Sequence, residues 1–226
     1  MVVFSGVGRF PDEYPAIEFF RSATQDEANH ALFVSDFSRS WLNWPGMDAQ
    51  IADMVASTAA ENGIDDIALI GNSMGGTMAL LMARRIPART VMAFVPQYSV
   101  SPQIMPEEKR WRKYRANISA FIYPEVTLEK TDDQTVYIVH GGTGGELAHA
   151  LKFPLIRGIR HFILPQYGHN HAKMLNRKAV LAPLIGAALA ERRVKVRKII
   201  EADSGLFLRD FKAGLDTQDL QWAGRA

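Results

Sequence analysis

The sequence predicts an α/β fold built on a mostly parallel sheet covered by helices. Three observations predict it. Short apolar, β-rich runs alternate with longer segments of helical period. One of those runs passes through a glycine-bounded turn, Gly71 to Gly75, straight into an apolar helix. The composition, 47% hydrophobic and 22% charged over 226 residues, is that of a globular chain able to bury a sizeable core in a single domain, 1–226.

The expected strands are Val2 to Phe4, Ala31 to Ser35, Ile67 to Ile70, Val91 to Val95, Thr135 to Val139 and His161 to Leu164, which gives a sheet of about six. Between the second and third, Met47, Ile51, Met54, Val55 and Thr58 recur at helical spacing, and Gly63 stands where a C-terminal glycine belongs. The segment Thr77 to Ile86 is apolar nearly all round until Arg84 and Arg85, and Pro87 stops it, so this helix should be central and buried. Lys173 to Arg192 reads as a helix that its internal Pro183 bends or divides.

Two stretches fall outside the alternation. Residues 98–131 hold Trp111, Tyr114 and Phe121 among prolines, enough aromatic surface to pack as a helical excursion, or lid, above the sheet. The tail, 194–226, mixes Ile199, Ile200, Leu206, Phe207 and Phe211 with charges, which suggests a peripheral helix or a partner contact.

Composition also narrows the function. The balance of 26 basic against 24 acidic residues demands no polyanionic partner. The basic run from Glu107 to Arg115 reads as a solvated face and not as a nucleic-acid site. Without cysteine there is no disulfide framework, thiolate metal site or cysteine nucleophile. No apolar stretch reaches the roughly 18 to 20 residues of a membrane span, and the opening Met1 to Phe10 lacks the features of a signal peptide, so a cytoplasmic location is expected.

The chemistry concentrates at Gly71-Asn72-Ser73-Met74-Gly75, a G-x-S-x-G pattern at a strand-to-helix junction. A serine at such a turn is held in a strained, exposed conformation, and small residues two before and two after it relieve backbone crowding. The helix N-terminus turns free N–H groups and its dipole toward the same point, where an oxyanion would gain from both. A serine hydroxyl needs a general base that is itself oriented by a third group. After the last strand, Gly168-His169 offers the base, with His171 as the competing histidine. After the preceding strand, the glycine-rich loop from Gly141 to Gly145 leads to Glu146 as the orienting acid. Asp132 and Asp133 lie at the wrong end of that strand. The glycines lack the Lys-Ser or Lys-Thr of a P-loop, and His169-x-His171 lacks further zinc ligands, so neither a metal nor an organic cofactor is called for.

The order Ser73, Glu146, His169 on successive strand ends, together with the elbow, resembles the α/β-hydrolase superfamily over most of the chain. The resemblance implies a shortened parallel sheet with helices on both faces and a small helical insertion. It further implies a triad at the carboxyl edge of the strands, and an oxyanion hole formed by the amide of Met74 and a second amide from Ser5-Gly6-Val7-Gly8, assigned to Val7 with Gly8 as its rival. The chain departs from the family in lacking the leading antiparallel strands, in having Ser5-Gly6 where His-Gly is common, and in having Gly144 where an aspartate often sits. Arg39 and Trp41, with Gly8, are the expected substrate-binding residues. Arg39 would meet an anionic group, and Trp41 or Trp44 would stack on a ring; an Arg39–Asp36 pair with packed tryptophans is the alternative. The implied function is a serine hydrolase, esterase-like or thioesterase-like, acting on a small acyl substrate. An acyltransferase using the same triad, or a non-catalytic binding protein on the same fold, would share these features.

Overall fold

The structure, a computed structural model, describes residues 1–10, 12–25, 28–129 and 132–223. Residues 130 and 131 of the expected lid and 224–226 of the tail therefore lie outside the described residues. The strands are β1 (Val2–Phe4), β2 (Leu32–Val34), β3 (Ala68–Asn72), β4 (Thr90–Phe94), β5 (Thr135–Gly141), β6 (Arg160–Leu164) and β7 (Leu206–Phe207). They form one sheet in the order β2-β1-β3-β4-β5-β6-β7. All neighbouring pairs are parallel except β6 with β7.

The period of two along the strands divides the core between the faces. Val2, Phe4, Leu69, Val91 and Ile138 point to one side, where α2 (Met47–Glu61) contributes Ile51 and Val55 and α3 (Met74–Met82) contributes Met78 and Leu80. Val3, Ile70, Met92, Tyr137 and Val139 point to the other, against Ala23 of α1 (Phe20–Thr24), Leu175 of α6 (His171–Arg177), Leu184 and Ile185 of α7 (Leu181–Leu189), and Val196 and Ile200 of α8 (Arg193–Ala202). This is the α/β-hydrolase fold that the motif order implied, with helices on both faces. Because β2 and β3 flank β1, the chain changes direction there, and the carboxyl ends around that point form the natural site of a doubly wound sheet.

Four expectations need correction. The sheet has seven strands rather than six, because part of the tail closes its edge: Leu206 and Phe207 pair antiparallel with Ile163 and Phe162, and the Phe162 and Phe207 rings stack at 4.4 Å. Gly205 makes this turn possible, since a Cβ there would lie 2.3 Å from Ile200 Cγ2. The buried helix begins at Met74, three residues before Thr77, despite two glycines in its first turn; packing against β1 overrides their weak propensity. The segment Lys173 to Arg192 divides into α6 and α7, but not at Pro183, which occupies the first turn of α7 where no intrahelical donor is needed. The break is at Ala179, whose φ is 57°.

The fourth correction concerns the expected helical lid. Among its described residues it contains one short helix, α4 (Arg112–Arg115), and is otherwise irregular. It is held down by specific bonds: Val126 N–H donates to Tyr98 O at 2.8 Å, Tyr123 N–H donates to Asn43 Oδ1 at 2.8 Å, and the Tyr123 hydroxyl donates to Asp48. The basic run presents Lys109, Arg110, Arg112 and Lys113 to solvent, as expected of a solvated face, while Glu108 and Arg115 are buried within it. Among the described residues, no helix is long and apolar enough to cross a membrane.

Candidate active site

Ser73 stands between β3 and α3 with φ 58° and ψ −122°, a conformation L-residues rarely hold. The neighbouring glycines are obligatory. A Cβ on Gly71 would lie 2.1 Å from Gly75 O, and one on Gly75 would lie 2.0 Å from Phe4 O. That second approach presses the elbow onto the end of β1, bringing the Met74 amide beside the loop that begins at Ser5. Neither the Met74 nor the Val7 N–H has a hydrogen-bond partner among the described residues.

His169 follows β6, and Glu146 lies in α5 (Gly145–Lys152), which follows β5. Their side chains meet: His169 Nδ1 is 3.0 Å from Glu146 Oε1. A carboxylate only accepts, so the imidazole carries its proton on Nδ1 and leaves Nε2 as the basic nitrogen. Burial alone would raise the Glu146 pKa, but the hydrogen bond and charge of His169 and the guanidinium of Arg110 outweigh it and bring the group down to about 2. Glu146 is therefore a buried carboxylate that stays ionised. His171, the competing histidine, is fully buried against Phe94, and its ring nitrogens make no well-formed hydrogen bond among the described residues, the Gly168 backbone being the nearest polar group to act on it.

Ser73 is 3% exposed, and its hydroxyl is bonded to Gln97 rather than to His169, with Gln97 Nε2 donating to Ser73 Oγ at 3.3 Å. Gln97 was not foreseen, because a lone glutamine after Pro96 has no motif to mark it. The strained backbone of Val95, φ 41° at the end of β4, aims this stretch toward the elbow. Glu18 is a second unforeseen residue. Its Oε2 accepts from Gly6 N–H at 2.8 Å and its Oε1 from Asn72 Nδ2 at 3.1 Å, tying the loop after β1 to the residue before Ser73. Burial raises the Glu18 pKa above the ordinary carboxylate range, only partly opposed by those two bonds. Glu18, Asn72 and His169 line one cavity of about 470 Å³ that also reaches Phe19, Arg21 and Lys173.

The expected substrate-binding residues are held by contacts within the chain. Arg39 is buried, and its guanidinium is spent on backbone carbonyls: Nε on Val7 O at 2.9 Å, Nη1 on Phe37 O, and Nη2 on Phe10 O and Glu13 O. It is bonded to neither an anionic group nor Asp36, whose carboxylate instead accepts from Ser40 and Ser38. Trp41 is buried too, and its Nε1 donates to Gln97 Oε1 at 2.8 Å, so it supports the site from behind. Trp44 is exposed. Gly8 serves the backbone: its φ is +81°, and a Cβ would lie 3.2 Å from Pro15 Cα.

A mostly parallel sheet with a serine on a strained strand-to-helix elbow defines an α/β-hydrolase. The family model described as "Putative esterase" matches residues 4–157, and the chain belongs to that family. It is accordingly a hydrolase of the ester-hydrolase kind. The match includes Ser73 and Glu146 and ends before His169. Among solved structures, the chain is similar to one described as a "putative hydrolase of the alpha/beta superfamily" from Xanthomonas campestris pv. campestris. That pair is 16% identical, covering 84% of this chain and 95% of the other with a TM-score of 0.47. Carboxylesterase CesB from Bacillus subtilis is 13% identical, with 79% and 81% covered and a TM-score of 0.40. A search of curated proteins finds no match.

Proposed function

We propose that the protein hydrolyses carboxylic esters of small molecules through an acyl-enzyme on Ser73, with His169 as general base and acid and Glu146 as its orienting carboxylate. The observation that carries this reading is the 3.0 Å contact of His169 Nδ1 with Glu146 Oε1, made at the same sheet edge as the strained serine. Ser73 Oγ attacks the acyl carbon while His169 Nε2 takes its proton. The tetrahedral oxyanion sits on the amides of Met74 and Val7, each worth on the order of a hundredfold in rate. Collapse expels the alkoxide, which leaves as an alcohol with the proton from His169. Water then attacks the acyl-serine with His169 again as base, releasing the acid and restoring Ser73.

In this state Ser73 is bonded to Gln97, and the bond to His169 belongs to the substrate complex, where catalytic hydrogen bonds tighten. The test is steady-state hydrolysis of a panel of 4-nitrophenyl esters and matching thioesters by the native protein, Ser73→Ala, His169→Ala and Glu146→Gln. The reading requires turnover by the native protein, its loss in the first two variants and a reduced kcat in the third. Undiminished turnover by Ser73→Ala or His169→Ala contradicts it.

A further inference from the structure

The irregular segment between β4 and β5 delivers Arg110 to Glu146 from the side opposite α5, and the mechanism above gives that arginine no part. Arg110 Nη1 donates to Glu146 Oε1, the same oxygen that His169 Nδ1 approaches, and lies 3.5 Å from His169 Nδ1. The other carboxylate oxygen, Oε2, is buried with no hydrogen-bond partner among the described residues. We propose that Arg110 is a positioning residue for the Glu146–His169 pair, fixing the carboxylate from the lid side and holding it in its charged form. The proposal rests on the triad reading above.

The arginine, though partly exposed, has its guanidinium fixed by several partners. Its Nε and Nη2 donate to Glu108, and Glu108 Oε2 also accepts from His149 Nε2 at 3.0 Å. The tautomer follows, because His149 Nδ1 accepts from the Tyr98 N–H at 3.1 Å and so leaves the ring proton on Nε2. His149 belongs to α5, the helix that carries Glu146, so the chain of bonds runs from Glu146 through Arg110 and Glu108 back to the same helix. At Gly145 a Cβ would lie 3.1 Å from Arg110 Nη2, so the glycine beside the acid leaves room for the guanidinium. The Arg110 guanidinium also lies over the Trp111 ring at 5.6 Å, and that ring is 5.7 Å from the His169 ring. Two consecutive lid residues thus bound the imidazole–carboxylate pair.

A carboxylate held by one donor on one oxygen can rotate about its last bond, and a buried one tends to take up a proton. Arg110 opposes both. Among the described residues, the groups around His169 are Glu146 from α5, Arg110 and Trp111 from the lid, Glu18 before α1, Arg21 on α1 and Lys173 on α6, and its charge also acts on His140 and His171. When the guanidinium is removed, a proton on His169 loses a cationic neighbour and Glu146 protonates more readily. Both effects move the acid limb of the pH–rate profile to higher pH.

The experiment is kcat, KM and the pH dependence of kcat/KM on 4-nitrophenyl acetate for the native protein, Arg110→Lys and Arg110→Met, with Ser73→Ala and His169→Ala as references and thermal melts on each. Arg110→Met is expected to lose on the order of 10- to 100-fold in kcat at a KM within about threefold of native, the scale of effect of a misplaced catalytic group. Its acid limb should rise by about one pH unit. Arg110→Lys, which keeps the charge and loses the fork, should restore the limb and recover only part of kcat. Should Arg110→Met fail to fold, the Glu108→Gln/Arg110→Met pair, which removes a buried carboxylate together with its partner, carries the same test. Native kcat and a native acid limb in the arginine-free variant, with His169→Ala inactive, overturn the role of Arg110 and leave the triad standing. Full activity in His169→Ala overturns the triad and this proposal with it.

Discussion

Trp41 Nε1 donates to Gln97 Oε1 at 2.8 Å, and that bond decides which end of the Gln97 amide faces the Ser73 hydroxyl. Indole N–H is only a donor, so the oxygen must turn toward Trp41 and the NH₂ toward Ser73 Oγ. Trp41→Phe removes the constraint and leaves a buried amide oxygen unpaired. We expect about 1–3 kcal/mol of lost stability in chemical denaturation, and a fall in kcat as the amide gains freedom to flip.

The elbow is held by contact with β1. Because the missing Cβ of Gly75 would fall 2.0 Å from a backbone oxygen, Gly75→Ala has no side-chain movement to relieve it. The expected cost is about 3 kcal/mol or more, seen as a lowered denaturation midpoint and lost esterase turnover. Gly214→Ala, with nothing within 4 Å of its Cβ position, serves as the control.

The elbow, and the neighbouring placement of the histidine and glutamate proposed as base and acid, are legible because each is marked locally: a fixed glycine spacing for Ser73, and glycine-bounded loops after predicted strands for Glu146 and His169. Gln97, Glu18 and Arg110 were not, because their roles exist only once distant segments meet, as when Glu18 bonds Gly6 and Asn72. The contacts of Arg39 were hidden for the same reason. Its position at a strand end suggested a ligand, whereas the structure surrounds it with carbonyls. The seventh strand is two residues long in a charged tail and has no period of its own to recognise.

Arg39 therefore acts on the loop after β1. Arg39→Lys offers a single point donor where the fork spans four carbonyls. The expectation is a loss of about 2 kcal/mol with no change in the ratio of kcat/KM between anionic and neutral esters. A selective loss on anionic esters would place Arg39 on the substrate after all.

The buried histidines make stability depend on pH. Burial lowers the pKa of His140 to about 4 and of His171 to about 3, and holds that of His161 well below its ordinary value. His140 donates from Nε2 to Pro96 O and accepts on Nδ1 from His161 Nε2, so both rings are bonded as neutral species. The unfolded chain binds these protons near pH 6.5, so the contribution to stability is complete above that pH. It is lost as pH falls from 6.5 toward 4 and below. For His140 alone it is on the order of 3 kcal/mol. The depressed carboxylates Glu108 and Glu146 add their losses only below about pH 4.5. His171→Phe, which replaces a fully buried imidazole with apolar surface beside Phe94, should flatten the slope between pH 5 and 7 at little cost in stability at pH 7. Urea denaturation at those two pH values measures it.

The claim on which the whole account turns is that Ser73 is an activated nucleophile. Fluorophosphonate labelling read by intact mass tests it most directly, on native protein, Ser73→Ala and His169→Ala side by side. An activated Ser73 gives one adduct on the native chain, none on Ser73→Ala and strongly slowed labelling of His169→Ala. A folded native protein that stays unlabelled, or a Ser73→Ala variant that labels as fast as native, would contradict it.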